Sequence, residues 1–464
     1  MMGPTPLLPQ AAELFHKGIV AMAEAELRGI PVDVPYCHHA LAGIQIKIKE
    51  LQAICMEDEF CQSWQGAFGR EFNLNANDQL AHMLFVVKKF PSEKKTKGGS
   101  KAVDDEVLED LCPQLPVLET LLEMRKWLKV SGTYLEGILR ATHQGICHPS
   151  FDLHTTRTYR SSSSNPNFQN MPIRDPECGE IIRSAFLPPP GFQMVESDYS
   201  QLEVRVNASY SGDSHLIRYI LDKSTDMHRD SAMDLFLLPA SEVTKEIRHE
   251  AKNKNVFAKF YGSVPQNIAR ALWRQMTKPD GLRMKDGRKL LDHLKSKGYD
   301  HLSPQFRGDP NAYETLVQKE DQIFWFDRLS EHREWKERWV RGYTQRGYFD
   351  SLTGFRYFSV MYPRDVVCYP VQGSAFHCCL RSFYRLAEEM KRRGMKSYLV
   401  AQIHDSILAM VAEGELKQFI ELAQEIMISE IGRTWTWLKV PLDVEFEVAP
   451  PGESWFKKKK FKAA

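Results

Sequence analysis

The pattern in these 464 residues that could most plainly do chemistry is a pair of acidic segments far apart in the chain. They are Val195-Glu196-Ser197-Asp198-Tyr199-Ser200-Gln201-Leu202-Glu203 and Ala401-Gln402-Ile403-His404-Asp405-Ser406-Ile407. In the second, Leu399, Val400 and Ile403 precede the polar pair, and Ile407, Leu408, Met410 and Val411 follow it. That pattern predicts two short buried strands with His404 and Asp405 at the turn. In the first, Phe192, Met194 and Val195 suit a strand running into Asp198, so the two carboxylates would end neighbouring strands. Two such carboxylates can hold a pair of Mg²⁺ ions roughly 3.5–4 Å apart, one activating an attacking oxygen and one stabilising a leaving oxygen. An Asp at a strand end is also a common turn former, and either segment alone reads more readily that way.

The text around the carboxylates decides between these readings. Asp198 to Arg205 (DYSQLEVR) followed by Ser211-Gly212-Asp213, and Gln402 to Ser406 (QIHDS), resemble the first and third sequence motifs of the DNA polymerase I family, family A of the DNA polymerases. Between them Arg248-His249-Glu250-Ala251-Lys252, continuing to Phe257, Tyr261 and Gly262, resembles that family's fingers-helix motif, and the three stand in the family's order. The resemblance covers nearly the whole chain. It implies an α+β right-hand polymerase fold: a palm with an antiparallel sheet, helical fingers and a helical thumb.

Stepping outward to the elements that must carry these residues, the resemblance divides the chain into five parts. Residues 1–36 lead into the palm, 37–147 form the thumb, and 148–226 form the palm with the first motif. Residues 227–350 form the fingers, and 351–464 the palm with the third motif and a C-terminal tail. Residues 11–30 read as helix, and apolar positions near helical spacing over 40–56 and 115–141 predict long thumb helices. Glu26 to Asp33 resembles the start of the family's polymerase domain. The few residues ahead of it are too short for an upstream exonuclease domain, so no intrinsic proofreading is expected, and a phage or plasmid replication enzyme is suggested. Residues 277–312 look longer than the family's usual connection and have no functional account.

Composition is compatible with such an enzyme. With 43% hydrophobic and 26% charged residues the chain can bury a large core and form several subdomains. No run of 18 apolar residues and no signal-peptide form is present, so a cytoplasmic protein with no membrane partner is expected. The nine cysteines show no CxxC pair and read as reduced thiols. The net charge of +1 says nothing about partners, since basic residues can line one groove while acidic ones sit elsewhere. Lys88, Lys89, Lys94, Lys95, Lys97 and Lys101 cluster around Gly98-Gly99, where the resemblance places the thumb tip, and suit duplex phosphates. The run from Lys457 to Lys460 reads as a solvated, flexible tail.

The family's residues carry over position by position. Arg160, Asn167, Gln169, Asn170 and Arg174 fall on the positions that grip the primer–template, where amides and a guanidinium in the minor groove can sense geometry without sequence. Tyr159 stands where the family usually has Gly. Glu203 falls on the steric gate that blocks a 2′-hydroxyl, implying deoxynucleotides. His228 of the Asp226-Met227-His228 element would approach the triphosphate. Arg248 and Lys252, four apart on one helical face, would neutralise it, with Lys252 also protonating the leaving pyrophosphate. Arg356, Gln372 and His404 would face DNA near the primer end. Ser406 replaces the usual Glu after His-Asp, leaving Asp198, Asp405 and the Tyr199 carbonyl as metal ligands.

One register conflict makes a prediction. The family's template-side Tyr lies twelve residues after its Arg, whereas Tyr261 lies thirteen after Arg248. Counting from Tyr261 makes Phe257 the residue that stacks on the sugar; counting from Lys252 makes it Val256. Both ends fit only if one extra residue is absorbed, so a π-bulge is predicted between Lys252 and Phe257, with Phe257 in the nucleotide-binding place.

The function this implies is extension of a primer–template by a monomer using deoxynucleoside triphosphates. It would take two Mg²⁺ ions, with Mn²⁺ able to substitute, and a separate exonuclease or replication accessory protein as a possible partner. A metal-dependent nuclease or a catalytically silent primer–template binder are the alternatives.

Overall fold

A computed structural model describes residues 8–92, 94–96, 98–173, 175–303 and 309–461. At its centre lies a five-stranded, wholly antiparallel sheet built from β1 (Phe192–Tyr199), β2 (Tyr398–Ile403), β3 (Ser406–Ala412), β4 (Val444–Val448) and β5 (Lys459–Lys460) in the order β5-β4-β1-β3-β2. Every residue of β3 is buried, which is why its sequence is an unbroken apolar run rather than an alternating one. Ser406 pairs with Asp198 and with Ile403, so the β2–β3 turn and the end of β1 share one edge of the sheet. The two acidic segments therefore meet as the sequence predicts.

A 30-residue helix, Pro363–Arg392, backs the sheet with its middle from Gly373 to Leu380 wholly buried. The first helix, Leu8–Arg28, packs on it through small residues. A Cβ on Gly18 would lie 2.6 Å from the side chain of Leu380, so only glycine permits that approach.

The segment anticipated as thumb is helical. Val34–Glu57 packs against Val117–Leu128, which continues through a π-helical stretch, Lys129–Leu135, into Glu136–Arg140. The long helix expected over 115–141 is thus one rod interrupted by a wider turn. Residues from 204 to 329, joined by Val440, hold two further cores, one around Phe236, Leu272 and Tyr313 and one around Val256 and Phe324.

In the first lysine cluster Lys94 is paired with Asp104 (2.7 Å) and Glu106 and would have to exchange them for a phosphate; Lys97 lies outside the described residues. One lysine reading needs correction: the C-terminal run is not a flexible tail. Lys458, only 9% exposed, pairs with Glu447 (2.6 Å) and Glu196, while Lys459 and Lys460 add a strand to the sheet edge and Lys460 reaches Glu445 (2.6 Å). A buried carboxylate on β1 requires a cation, and the tail supplies it.

An ionic bridge joins the two helical lobes. Arg274, on the helix Pro265–Thr277, makes a bidentate pair with Asp110 (2.7 and 2.6 Å) and reaches Glu106 (2.6 Å) on the helix Asp105–Leu111.

Candidate active site

Asp405 ends the β2–β3 turn, and its backbone carbonyl accepts a hydrogen bond from Tyr199 N (3.1 Å), which locks the turn to the end of β1 beside Asp198. The Tyr199 ring points inward, its hydroxyl bound to Ser382 Oγ (2.7 Å) and Met427 O (2.9 Å). That buried anchor holds the backbone of Tyr199 in place between the carboxylates' strands. Burial lifts the Asp405 carboxyl to about 7, with Glu203 and Asp198 adding to the rise and Arg160 opposing it. Asp198 keeps an open face to solvent, yet the protein around the rest of it, with Glu196 next, raises it to about 6. Two raised carboxyls, one of them pushed up in part by the other, form a site short of positive charge.

Backbone strain gathers here. His404 (φ 53°), Gln201 (φ 54°) and Tyr159 (φ 56°) all hold the left-handed conformation that non-glycine residues adopt at a cost. His404 makes the turn, and Gln201 starts the helix Leu202–Ser211 that carries Glu203. Tyr159 answers the question raised by its replacement of a glycine. The backbone keeps a glycine-like path, secured by its hydroxyl donating to Arg356 O (2.9 Å) and its ring packing on Phe355 and Tyr357.

Above the aspartates, Glu203 accepts from both the Arg160 guanidinium and the Tyr261 hydroxyl. Arg160 Nε also donates to Gln372 O (3.3 Å). Gln169 donates to Ser161 Oγ (2.7 Å) and to Gln402 Oε1 (3.0 Å). Gln402, fully buried, also donates to His404 O, so a residue not singled out in the sequence braces both. Its signal was a lone amide in an apolar strand. Burial and Arg160 lower the imidazole of His404 from its ordinary value. Asn167 and Asn170 are exposed at the same edge, Arg356 is held bidentately by Asp350 (2.7 and 2.9 Å), and Arg174 lies outside the described residues.

The fingers-helix motif forms the opposite wall. Lys245–Glu250 is α-helical, Ala251–Val256 is π-helical, and Phe257–Phe260 resumes the α-helix. The extra residue is absorbed where the register required it. Val256 is wholly buried, whereas Phe257 meets the His228 ring edge-on at 5.7 Å and lies 5.2 Å from Lys252 Nζ. Lys252 makes no ion pair among the described residues, and burial followed by Arg248 lowers its ammonium from the ordinary value. Arg248 is held bidentately by Asp226 (2.6 and 3.0 Å), which also caps the helix Met227–Phe236 by accepting from His228 N and Arg229 N (3.1 Å each). His228 is buried with Nδ1 unpartnered; burial and the cations Arg248 and Lys252 push it down to about 4, so it is neutral. Asp226, His228, Arg248, Lys223 and Thr225 line a polar cavity of about 300 Å³. An arrangement of two unneutralised aspartates facing two cations, a neutral imidazole and an aromatic ring suits a polyphosphate bound between the walls.

The model of DNA polymerase family A matches residues 48–286 and 324–457. DNA polymerase I of Geobacillus stearothermophilus is 28% identical over 453 residues, covering 96% of this chain and 47% of that protein. DNA polymerase I of Lactococcus lactis is 32% identical over 427 residues, covering 90% and 44%. The chain thus spans about half the length of the curated relatives it matches. Among solved structures, the POL domain of Pol1 from M. smegmatis, in complex with DNA primer-template and dNTP, superposes with a TM-score of 0.75 at 26% identity, covering 95% of this chain and 70% of that one.

Proposed function

This chain belongs to DNA polymerase family A, and on that premise we propose that it is a template-directed DNA polymerase that adds deoxynucleotides to a primer 3′ end with release of pyrophosphate. The observation that carries the reading is the meeting of Asp198 and Asp405 at one sheet edge, both carboxyls raised, beneath Glu203 and opposite the Arg248–Lys252–Phe257 wall. In this reading residues 148–226 and 351–464 are palm, 37–147 thumb and 227–350 fingers.

The donor set of carboxylates and a carbonyl is all hard oxygen, and its excess negative charge fits divalent cations such as Mg²⁺, with Mn²⁺ able to substitute. Asp198, Asp405 and the Tyr199 carbonyl would hold two such ions, which when bound supply activation of the attacking hydroxyl and charge neutralisation at the leaving oxygen. The chain's own residues do the rest. Arg248, exchanging Asp226 for phosphate, and neutral His228 grip the triphosphate. Lys252, its ammonium made more acidic by burial and Arg248, gives a proton to the departing pyrophosphate. Phe257 stacks on the sugar while Glu203, braced by Arg160 and Tyr261, occupies the space a 2′-hydroxyl would need. Gln169, Asn167, Asn170, Arg174, Arg356, Gln372 and His404 contact the primer–template, an assignment supported by the exposed edge shared by several of them.

The test is extension of a labelled primer on a DNA template with Mg²⁺, comparing deoxynucleotides with ribonucleotides and the intact chain with Asp405→Ala. Lengthening that needs deoxynucleotides and vanishes in the variant is expected. Shortening of the primer would point to a nuclease, and tight binding without lengthening to a silent binder.

A further inference from the structure

Four helical segments meet at one buried carboxylate outside the site just described. Glu320, in the helix Tyr313–Gln322, and Lys259 have side chains with no exposed surface, and the two are ion-paired. The other Glu320 oxygen accepts from Ser231 Oγ (2.6 Å) and Asn255 Nδ2 (3.0 Å), and Asn255 Nδ2 also donates to Ser231 Oγ (2.7 Å). Asp321 lies 3.4 Å from the same ammonium.

Burying a lysine–glutamate pair is a weak way to gain stability, since apolar residues of similar volume commonly do as well or better. The network even leaves Asn255 Oδ1 buried without a partner. What it supplies is direction. Asn255 stands inside the π-helical turn and Lys259 four residues later in the α-helical stretch that follows, so the turn and the segment leaving it are tied to one carboxylate, with Phe257 between them. Ser231 follows His228 by three residues on the helix Met227–Phe236, and His228 meets Phe257 edge-on. One carboxylate thus fastens the helix bearing Lys252 and Phe257 to the helix bearing His228.

We propose that Glu320, acting through Lys259, Asn255 and Ser231, is a positioning residue for the nucleotide: it holds the π-turned register that sets Phe257 and Lys252 toward the cleft. The inference rests on the nucleotidyl-transfer reading above.

The test uses the full chain, Glu320→Gln, and the apolar double variant Lys259→Met/Glu320→Leu. Amide hydrogen exchange over residues 251–261, measured without DNA or nucleotide, is expected to quicken about tenfold in both variants, with exchange in 406–412 unchanged. In primer extension the double variant is expected to keep the melting temperature and primer–template affinity of the intact chain. Its KM for deoxynucleotide should rise about tenfold with kcat altered by less than about threefold, and its preference over dideoxynucleotide should shift. A merely structural pair would leave that KM and preference untouched. Unchanged nucleotide KM and preference overturn the proposal, whether or not the exchange quickens. If the intact chain extends no primer, the polymerase reading fails instead, and the exchange experiment alone decides the positioning role.

Discussion

The Tyr261 hydroxyl donates to the Glu203 carboxylate, which is paired at its other oxygen with Arg160. Two side chains far apart in sequence therefore hold the one carboxylate proposed above as the gate. Glu203→Ala is expected to lower discrimination against ribonucleotides by about 10- to 200-fold, read as the ratio of kcat/KM values for deoxy- and ribonucleotide. Tyr261→Phe, which keeps the ring and deletes one hydrogen bond, should lose only a small part of that. Equal selectivity in Glu203→Ala and the intact chain would remove Glu203 from the gate.

Phe257 and Val256 differ sharply in surroundings, one beside His228 and Lys252, the other fully buried. Phe257→Tyr adds a hydroxyl that can stand in for a missing 3′-hydroxyl, and acceptance of dideoxynucleotides should rise about tenfold. Val256→Tyr should instead lower stability by about 1–3 kcal/mol through overpacking. A dideoxy phenotype from the Val256 variant and none from the Phe257 variant would reverse the register.

Lys458 is the partner of the buried Glu196, whose other contacts are Trp455 Nε1 (2.9 Å) and Ser406 Oγ (3.1 Å). Lys458→Met strands that carboxylate, and a loss of about 3–5 kcal/mol is expected in urea unfolding. Lys457→Met, at an exposed position, should change stability by less than about 0.5 kcal/mol.

His377 is wholly buried, accepting from Thr353 Oγ1 (2.6 Å) at Nδ1 and donating from Nε2 to Tyr159 O (3.2 Å). Burial pushes it down to about 3. The folded chain therefore refuses a proton that the unfolded chain accepts near pH 6.5, so its stabilising contribution is complete above that pH and is lost as pH falls from about 6.5 to 3. The intact chain should lose stability across that window with a slope that His377→Gln reduces by about one proton. An unaltered slope would show that His377 titrates normally.

Much of the site was readable because its signals are local. The apolar runs around His404-Asp405 allow little besides a hairpin, and β1 follows from Phe192, Met194 and Val195 in the same way. The π-turn was readable through arithmetic, since one residue too many between Arg248 and Tyr261 had to go somewhere. Partners that lie far off in sequence left no such mark. Glu320 sits among Lys319 and Asp321 in an ordinary-looking charged helix, and nothing local says that it is the one wholly buried against Lys259. Lys458 likewise looked like its solvated neighbours because its partner, Glu196, is more than 260 residues away. The left-handed turn at Tyr159 is dictated by aromatic packing against Phe355 and Tyr357 that only the assembled fold provides.

Arg274 closes a circuit. The chain runs from one helical lobe through the sheet to the other, and the pairing of Arg274 with Asp110 and Glu106 joins the two. Parting those lobes at this point requires the guanidinium to leave both carboxylates at once. The clasp is ionic and its carboxylates are half exposed to water, where charges are screened beyond about 8–10 Å at ordinary salt, so how readily the two lobes part becomes a property that ionic strength can set.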